Sequence, residues 1–341
     1  MKTIRVLVVD DSILFRNVLV QSLESDPNIQ VVAQARDPYE ARDAIIKYKP
    51  DVMTLDVELP RMNGIDFLRK LMPQYPLPVV VISALSDKVF DALEAGAVDF
   101  VNKPGNMDKE QLNNFLKQEL TTKVKIASTA KVGKLKRTGA DTSAKDDVKV
   151  VGKERIIAIG ASTGGTEAIY EVLKQFRRDV PGIVVVQHMP PGFTKMYAER
   201  LNNQCQVAVK EAQTGDKVLQ GQVLIAPGDR QMKVVKVGDG YQVECRGTEK
   251  VNGHCPSVDV LFQSVARAAG RSAVGVILTG MGGDGAKGLL EMRKAGAVTI
   301  GQDEASCIVY GMPKVAYELG AVQYRLGLSG IPGKVYSLLS T

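Results

Sequence analysis

Residues 156–165 read Ile156-Ile157-Ala158-Ile159-Gly160-Ala161-Ser162-Thr163-Gly164-Gly165. A short apolar run without polar alternation is the pattern of a strand buried on both faces, in a parallel sheet covered by helices. The glycines that follow mark a sharp turn, and 166–175 has helical periodicity. The alternation continues downstream. Strands are expected at 183–187, 207–210, 223–226, 273–278 and 298–301, and helices at 193–203, 257–269, 286–295 and 313–319. A polar hairpin is expected over 232–237 and 241–244 around Gly238-Asp239-Gly240. Upstream, apolar runs at 5–9, 29–35, 52–55, 79–82 and 98–101 alternate with helical patterns at 12–25, 38–48, 64–72, 88–95 and 109–120. The fold class is therefore α/β: two doubly wound parallel-sheet domains, one of (βα)5 form over 1–122 and a second over 153–341.

Between them, 123–152 loses periodicity and is rich in Lys, Thr, Ser, Ala and Gly, the composition of a flexible linker. Charge follows the same division. Residues 1–122 are net −4, 123–155 net +6, and the remainder net +4. The basic segment could meet an acidic partner, but no aromatic side chain interleaves its lysines, and a solvated linker is favoured over nucleic-acid binding. No apolar run reaches the roughly 18 residues of a membrane span. The start lacks a cleavage site after its apolar stretch. A cytoplasmic protein without membrane insertion is expected. Its four cysteines form no CxxC pair and are expected to be reduced and mostly buried.

In open α/β sheets the functional crevice lies at the carboxyl ends of the strands. In the first domain those ends hold Asp10 and Asp11, Asp56, Ser83 and Lys103-Pro104. Three carboxylates there repel unless a cation joins them, and oxygen ligands suit Mg²⁺. A lysine and a hydroxyl opposite could bind phosphoryl oxygens. Taken singly, Asp11 could simply cap the helix that follows. Taken together, the set resembles the receiver domain of two-component response regulators, a flavodoxin-like fold. The resemblance implies that Asp56 accepts phosphate from a histidine kinase. It further implies that Asp10, Asp11, Asp56 and the Glu58 carbonyl hold Mg²⁺, that Ser83 and Lys103 sense the phosphoryl group with Phe100 as the aromatic switch, and that the Lys103–Pro104 bond is cis.

In the second domain, Gly160-Ala161-Ser162-Thr163-Gly164 fits G-x-S-x-G, the turn that exposes a nucleophilic serine. An anion-binding turn at a helix N-terminus would look similar. A serine nucleophile needs a base. Of the two histidines, His188 ends the next strand, parallel to Ser162, and is preferred over His254 in its loop. Asp284, within Gly280-Met281-Gly282-Gly283-Asp284-Gly285, is the candidate orienter, and the same turn offers backbone N–H groups for an oxyanion. Two rivals stand beside this reading. One is an α/β-hydrolase arrangement with His254 as base and Asp216 or Asp229 behind it. The other is a Rossmann fingerprint, Gly280-x-Gly282-x-x-Gly285, with Asp303 as ribose ligand.

The segments around Ser162, His188 and Asp284, behind a receiver and a linker, resemble the chemotaxis response-regulator protein-glutamate methylesterases over essentially the whole chain. The resemblance implies a Rossmann-like catalytic domain without cofactor. It implies hydrolysis of glutamate methyl esters, and deamidation of glutamines, on methyl-accepting chemotaxis receptors, with Met281 and Thr163 as oxyanion donors. It also implies that the unphosphorylated receiver covers the Ser162 site.

Overall fold

Strands β1 (Ile4–Val9), β2 (Ile29–Ala35), β3 (Val52–Asp56), β4 (Val79–Ser83) and β5 (Asp99–Asn102) form one parallel sheet in the order β2-β1-β3-β4-β5. Val6, Leu7, Val8, Val52, Met53, Val79, Val80 and Val81 are wholly buried, which is why these strands read as unbroken apolar runs. They alternate with α1 (Ile13–Glu24), α2 (Pro38–Tyr48), α3 (Gly64–Leu71), α4 (Ser86–Glu94) and α5 (Lys109–Ala127). This computed structural model describes residues 3–84, 86–103, 109–133 and 155–339. The chain divides into two compact units, Met1–Lys136 and Arg137–Thr341.

Helix α5 runs on to Ala127, five residues into the stretch expected to be linker. Leu116, Leu120, Val124 and Ala127 are all fully buried and share one helical face. Burying Leu120 and Val124 is worth roughly 2 kcal/mol each, enough to carry the helix through the weak formers Thr121 and Thr122. The rest of the expected linker beyond residue 133, and the Lys103–Pro104 bond, lie outside the described residues.

The second unit holds β6 (Ile156–Ala161), β7 (Gly182–Gln187), β8 (Ala208–Glu211), β9 (Gln222–Ile225), the hairpin β10 (Met232–Val237) and β11 (Gly240–Cys245), β12 (Ala273–Ile277), β13 (Val298–Gln302) and β14 (Tyr324–Leu326). Apart from the antiparallel hairpin, they form a seven-stranded parallel sheet, β14-β13-β12-β6-β7-β9-β8. Its helices are α6 (Gly165–Leu173), α7 (Phe193–Gln204), α8 (Val258–Ala269), α9 (Ala286–Lys294), α10 (Met312–Glu318) and α11 (Ile331–Leu339). The chain starts this sheet in the middle, at β6. It first builds outward through β7, then crosses to β12 on the other side. The gap between those directions is the switch point where such sheets bind ligands.

Sequence reading omitted β14 and α11. Strand β14 is three residues long and largely exposed, so no apolar run announces it. Helix α11 opens Ile331-Pro332-Gly333, where proline and glycine look like loop punctuation. Proline is tolerated in a first turn, and Ile331, Val335 and Leu339 are the buried face. All four cysteines are free, but only Cys307 is buried; Cys205, Cys245 and Cys255 are half-buried.

Candidate active site

At the carboxyl rim of the first sheet, Asp10 and Asp56 are buried and Asp11 is exposed. One ligand oxygen from each lies within 4.8 Å of the others. Lys103 Nζ reaches Asp56 Oδ2 at 3.0 Å and Asp10 Oδ2 at 3.2 Å. Burial pushes the Asp10 carboxyl up to about 6; Lys103 pulls against the rise and the neighbouring Asp56 adds to it. For Lys103, burial pulls its pKa down, but the charges of Asp56 and Asp10 win and leave it raised. Ser83 is buried at the end of β4, and its carbonyl accepts the Lys103 N–H at 2.9 Å. The Glu58 N–H donates to Asp56 Oδ1 at 3.1 Å. Capping of α1 falls to Ser12, whose Oγ accepts the Phe15 N–H, so the carboxylates are not spent on that task. Phe100 is buried, with Lys123 Nζ 4.8 Å from its ring centroid and donating to its carbonyl. A clustered acid set without enough cations is one a hard divalent cation would complete.

In the second unit three loops meet at the rim above β12, β6 and β7. Ala161 pairs with Gln187, so the next residues, Ser162 and His188, stand abreast on neighbouring strands. The Ser162 N–H donates to the Thr279 carbonyl at 3.0 Å. The Ser162 carbonyl accepts the Gly165 N–H at 2.7 Å and Gln187 Nε2 at 3.0 Å. Gly164 takes φ 74° to start α6, a value that favours glycine. Gly280 is packed against the serine: a Cβ there would lie 2.7 Å from Ser162 Cβ and 2.4 Å from Met312 Sδ. Thr279 knits the floor, its hydroxyl accepting the Val309 N–H and sharing its one proton between the Thr163 and Val309 carbonyls, 3.0 and 3.1 Å away. Met281 stands exposed above this floor and Thr163 is buried within it.

Asp284 Oδ2 lies 2.8 Å from His188 Nε2. The carboxylate is buried and takes four further donors. Ser257 Oγ donates at 2.7 Å, Asn252 Nδ2 at 2.8 Å, and the Val258 and Asp259 N–H groups at 2.7 and 3.3 Å. Burial alone would raise its pKa. Hydrogen bonds from His188, Asn252 and Ser257 outweigh that and hold it well below the usual carboxylate range. Two of its donors are the first N–H groups of α8, so the helix N-terminus also favours the anion. An ionised Asp284 puts the imidazole proton on Nε2 and leaves Nδ1 with its lone pair. Nδ1 is buried and has no hydrogen-bond partner among the described residues. An acceptor nitrogen held ready at a rim beside a serine is what a general base requires.

Neither rival arrangement is assembled. Asp216 is engaged by Lys210 at 2.8 Å and by the Gln213 N–H, and Asp229 lies 3.7 Å from Arg230. Asp303 accepts Ser306 N–H and Oγ, tying its own loop. The close approach that Gly280 permits is filled by Ser162 and Met312, with the Gly280 carbonyl accepting the Gly311 and Met312 N–H groups. Sequence reading missed Asn252, Ser257 and the α8 N-terminus as holders of Asp284. The only signal was their place in a loop ahead of a helix start. It also left His254 without a role; its ring stacks on His188, centroids 3.6 Å apart and planes 9° from parallel.

Residues 157–335 match the family model described as CheB methylesterase, and 6–117 match that of the response regulator receiver domain. This chain belongs to the CheB methylesterase family. Among similar proteins of this methylesterase family is protein-glutamate methylesterase/protein-glutamine glutaminase 2 of Syntrophomonas wolfei, 61% identical over 340 residues, covering 100% of this chain and 99% of that one. Protein-glutamate methylesterase/protein-glutamine glutaminase of Salmonella typhimurium is 48% identical over 344 residues, covering 100% and 98%. The crystal structure of the Thermotoga maritima CheB methylesterase catalytic domain is 38% identical with a TM-score of 0.53, covering 54% of this chain and 98% of that one. Among the described residues no helix is long and apolar enough to cross a membrane.

Proposed function

We propose that this chain is a phosphorylation-controlled hydrolase of the chemotaxis adaptation system. It demethylates glutamate methyl esters on methyl-accepting chemotaxis receptors, releasing methanol, and deamidates receptor glutamines. The observation that supports this most directly is the buried Asp284–His188 bond, with Nδ1 unpartnered at the rim where Ser162 stands abreast. Ser162 Oγ attacks the γ-carbonyl carbon as its proton passes to His188 Nδ1. The Met281 N–H, with one near Thr163, receives the developing oxyanion. The ester C–O bond then breaks, and His188 returns the proton to the departing methoxide, which leaves as methanol. Water attacks the acyl-serine, again giving its proton to His188, and glutamate and free Ser162 are regenerated. With a glutamine substrate the leaving group is ammonia. Asp284 stabilises the imidazolium at each stage.

Control would lie in the receiver, where Asp56 accepts phosphate from a chemotaxis histidine kinase. Asp10, Asp11 and Asp56, with the Glu58 carbonyl, would hold Mg²⁺. Bound there, the ion supplies the positive charge that phosphoryl transfer needs. Lys103, 3.0 Å from Asp56, would meet a phosphoryl oxygen, Ser83 would meet another, and Phe100 would report the change. A switch requires phosphate to favour the active state by a few kcal/mol. Methanol release from methylated receptor membranes, with and without a small phosphodonor, tests the whole reading. Wild type should be stimulated at least tenfold. Asp56→Ala should keep the basal rate and lose the stimulation. Equal stimulation of the two proteins would refute control through Asp56, and absence of methanol in all cases would refute the activity.

A further inference from the structure

One hydrogen bond does not fix a ring. The bond from His188 Nε2 to Asp284 holds one edge of the imidazole and leaves it free to swing about that contact. A swing would turn Nδ1, buried and without a hydrogen-bond partner among the described residues, away from the rim where Ser162 stands abreast. The face of the ring is covered by His254, parallel to it at 3.6 Å. The chain around His254 is unusually well anchored. Val251 and His254 exchange both backbone hydrogen bonds at 2.9 Å across a tight turn. Asn252, at φ 53°, bridges Asp259 and Asp284 at 2.8 Å each. Gln231 binds the His254 and Glu249 carbonyls through Nε2 and accepts the Ser257 N–H on Oε1. One turn thus delivers an amide to the carboxylate and a flat ring to the imidazole.

We propose that His254 is a positioning residue for this hydrolysis, its stacked ring fixing the plane in which His188 Nδ1 faces Ser162. The inference rests on the assignment of Ser162 and His188 above. The stack also suits the charge that comes and goes on His188. His188, Asp284 and Lys250 are the titratable groups that face His254. Burial lowers its pKa most and His188 and Lys250 add to this against Asp284, so that it falls to about 4. His254 is therefore neutral when His188 takes the serine proton, and no second imidazolium opposes the transfer. The aromatic face is what the role needs, more than the ring nitrogens.

The full-length protein, activated with a small phosphodonor and assayed for methanol release from methylated receptor membranes, tests this with four variants. His254→Ala should lose roughly 10- to 100-fold in kcat, since a displacement of about 1 Å at a reacting group costs about that much, with KM within about threefold. His254→Phe, which keeps the flat face, should recover to within about threefold of wild type. His254→Leu, which fills the space without a flat face, should be as slow as His254→Ala; if the alanine variant fails to fold, the comparison of Leu with Phe decides. Wild-type turnover in His254→Ala, equal rates for folded Leu and Phe variants, or an effect confined to KM would each overturn the proposal. Ser162→Ala runs beside them: methanol release by that variant would overturn the underlying serine assignment, independently of position 254.

Discussion

Ser162→Ala will release no methanol above background, a loss of about 10⁴- to 10⁶-fold in kcat, the scale on which removal of a nucleophile acts when its partners are left idle. Its stability should change little. The hydrogen bonds that hold this turn run through the Ser162 N–H and carbonyl, to Thr279, Gly165 and Gln187, and alanine keeps all three. A melting temperature within about 2 °C of wild type together with lost turnover would separate chemistry from folding. Turnover retained within tenfold would remove Ser162 from the mechanism.

Asp284→Asn should cost about 10⁴-fold in kcat, because a neutral amide neither holds the His188 proton on Nε2 nor stabilises the imidazolium. Here, unlike at Ser162, stability should fall too. The carboxylate accepts five hydrogen bonds. An amide presents one NH2 to that ring of donors, leaving several buried groups unpaired at about 1–3 kcal/mol each. A net loss of roughly 3 kcal/mol corresponds to about 6–12 °C in Tm for a unit of this size. The effect has a pH signature. Asp284 is held below its unfolded value, near 3.9, so its contribution is complete above about pH 5 and is lost as pH falls through the lower folded value. The stability gap between wild type and Asp284→Asn should be flat from pH 5 to 8 and narrow below about pH 4. A gap that widens in acid would mean that Asp284 is not held as an anion.

Both sheets and the positions of Ser162, His188 and Asp284 at strand ends were legible because buried parallel strands leave unbroken apolar runs and their ends carry the punctuation. The same logic located Asp10, Asp56, Ser83 and Lys103. Where burial pattern is faint, sequence reading failed: β14 is short and exposed, and α11 hides behind Pro332 and Gly333. The end of α5 failed for the opposite reason. Polar residues from Thr121 onward look like a linker, and only packing shows Val124 and Ala127 buried.

By itself the sequence determined the α/β class, the order of the two domains, and that Ser162, His188 and Asp284 follow one another at strand ends, since each is local or periodic along the chain. Only the tertiary structure decided which nitrogen of His188 meets Asp284, who holds Asp284 ionised, and that His254 lies flat on His188. Those facts depend on residues 25 to 96 positions apart in sequence brought into contact. No pattern along the chain encodes such distances; the return of the chain, after β9, the hairpin and α8, to β12 on the other side of β6 creates them.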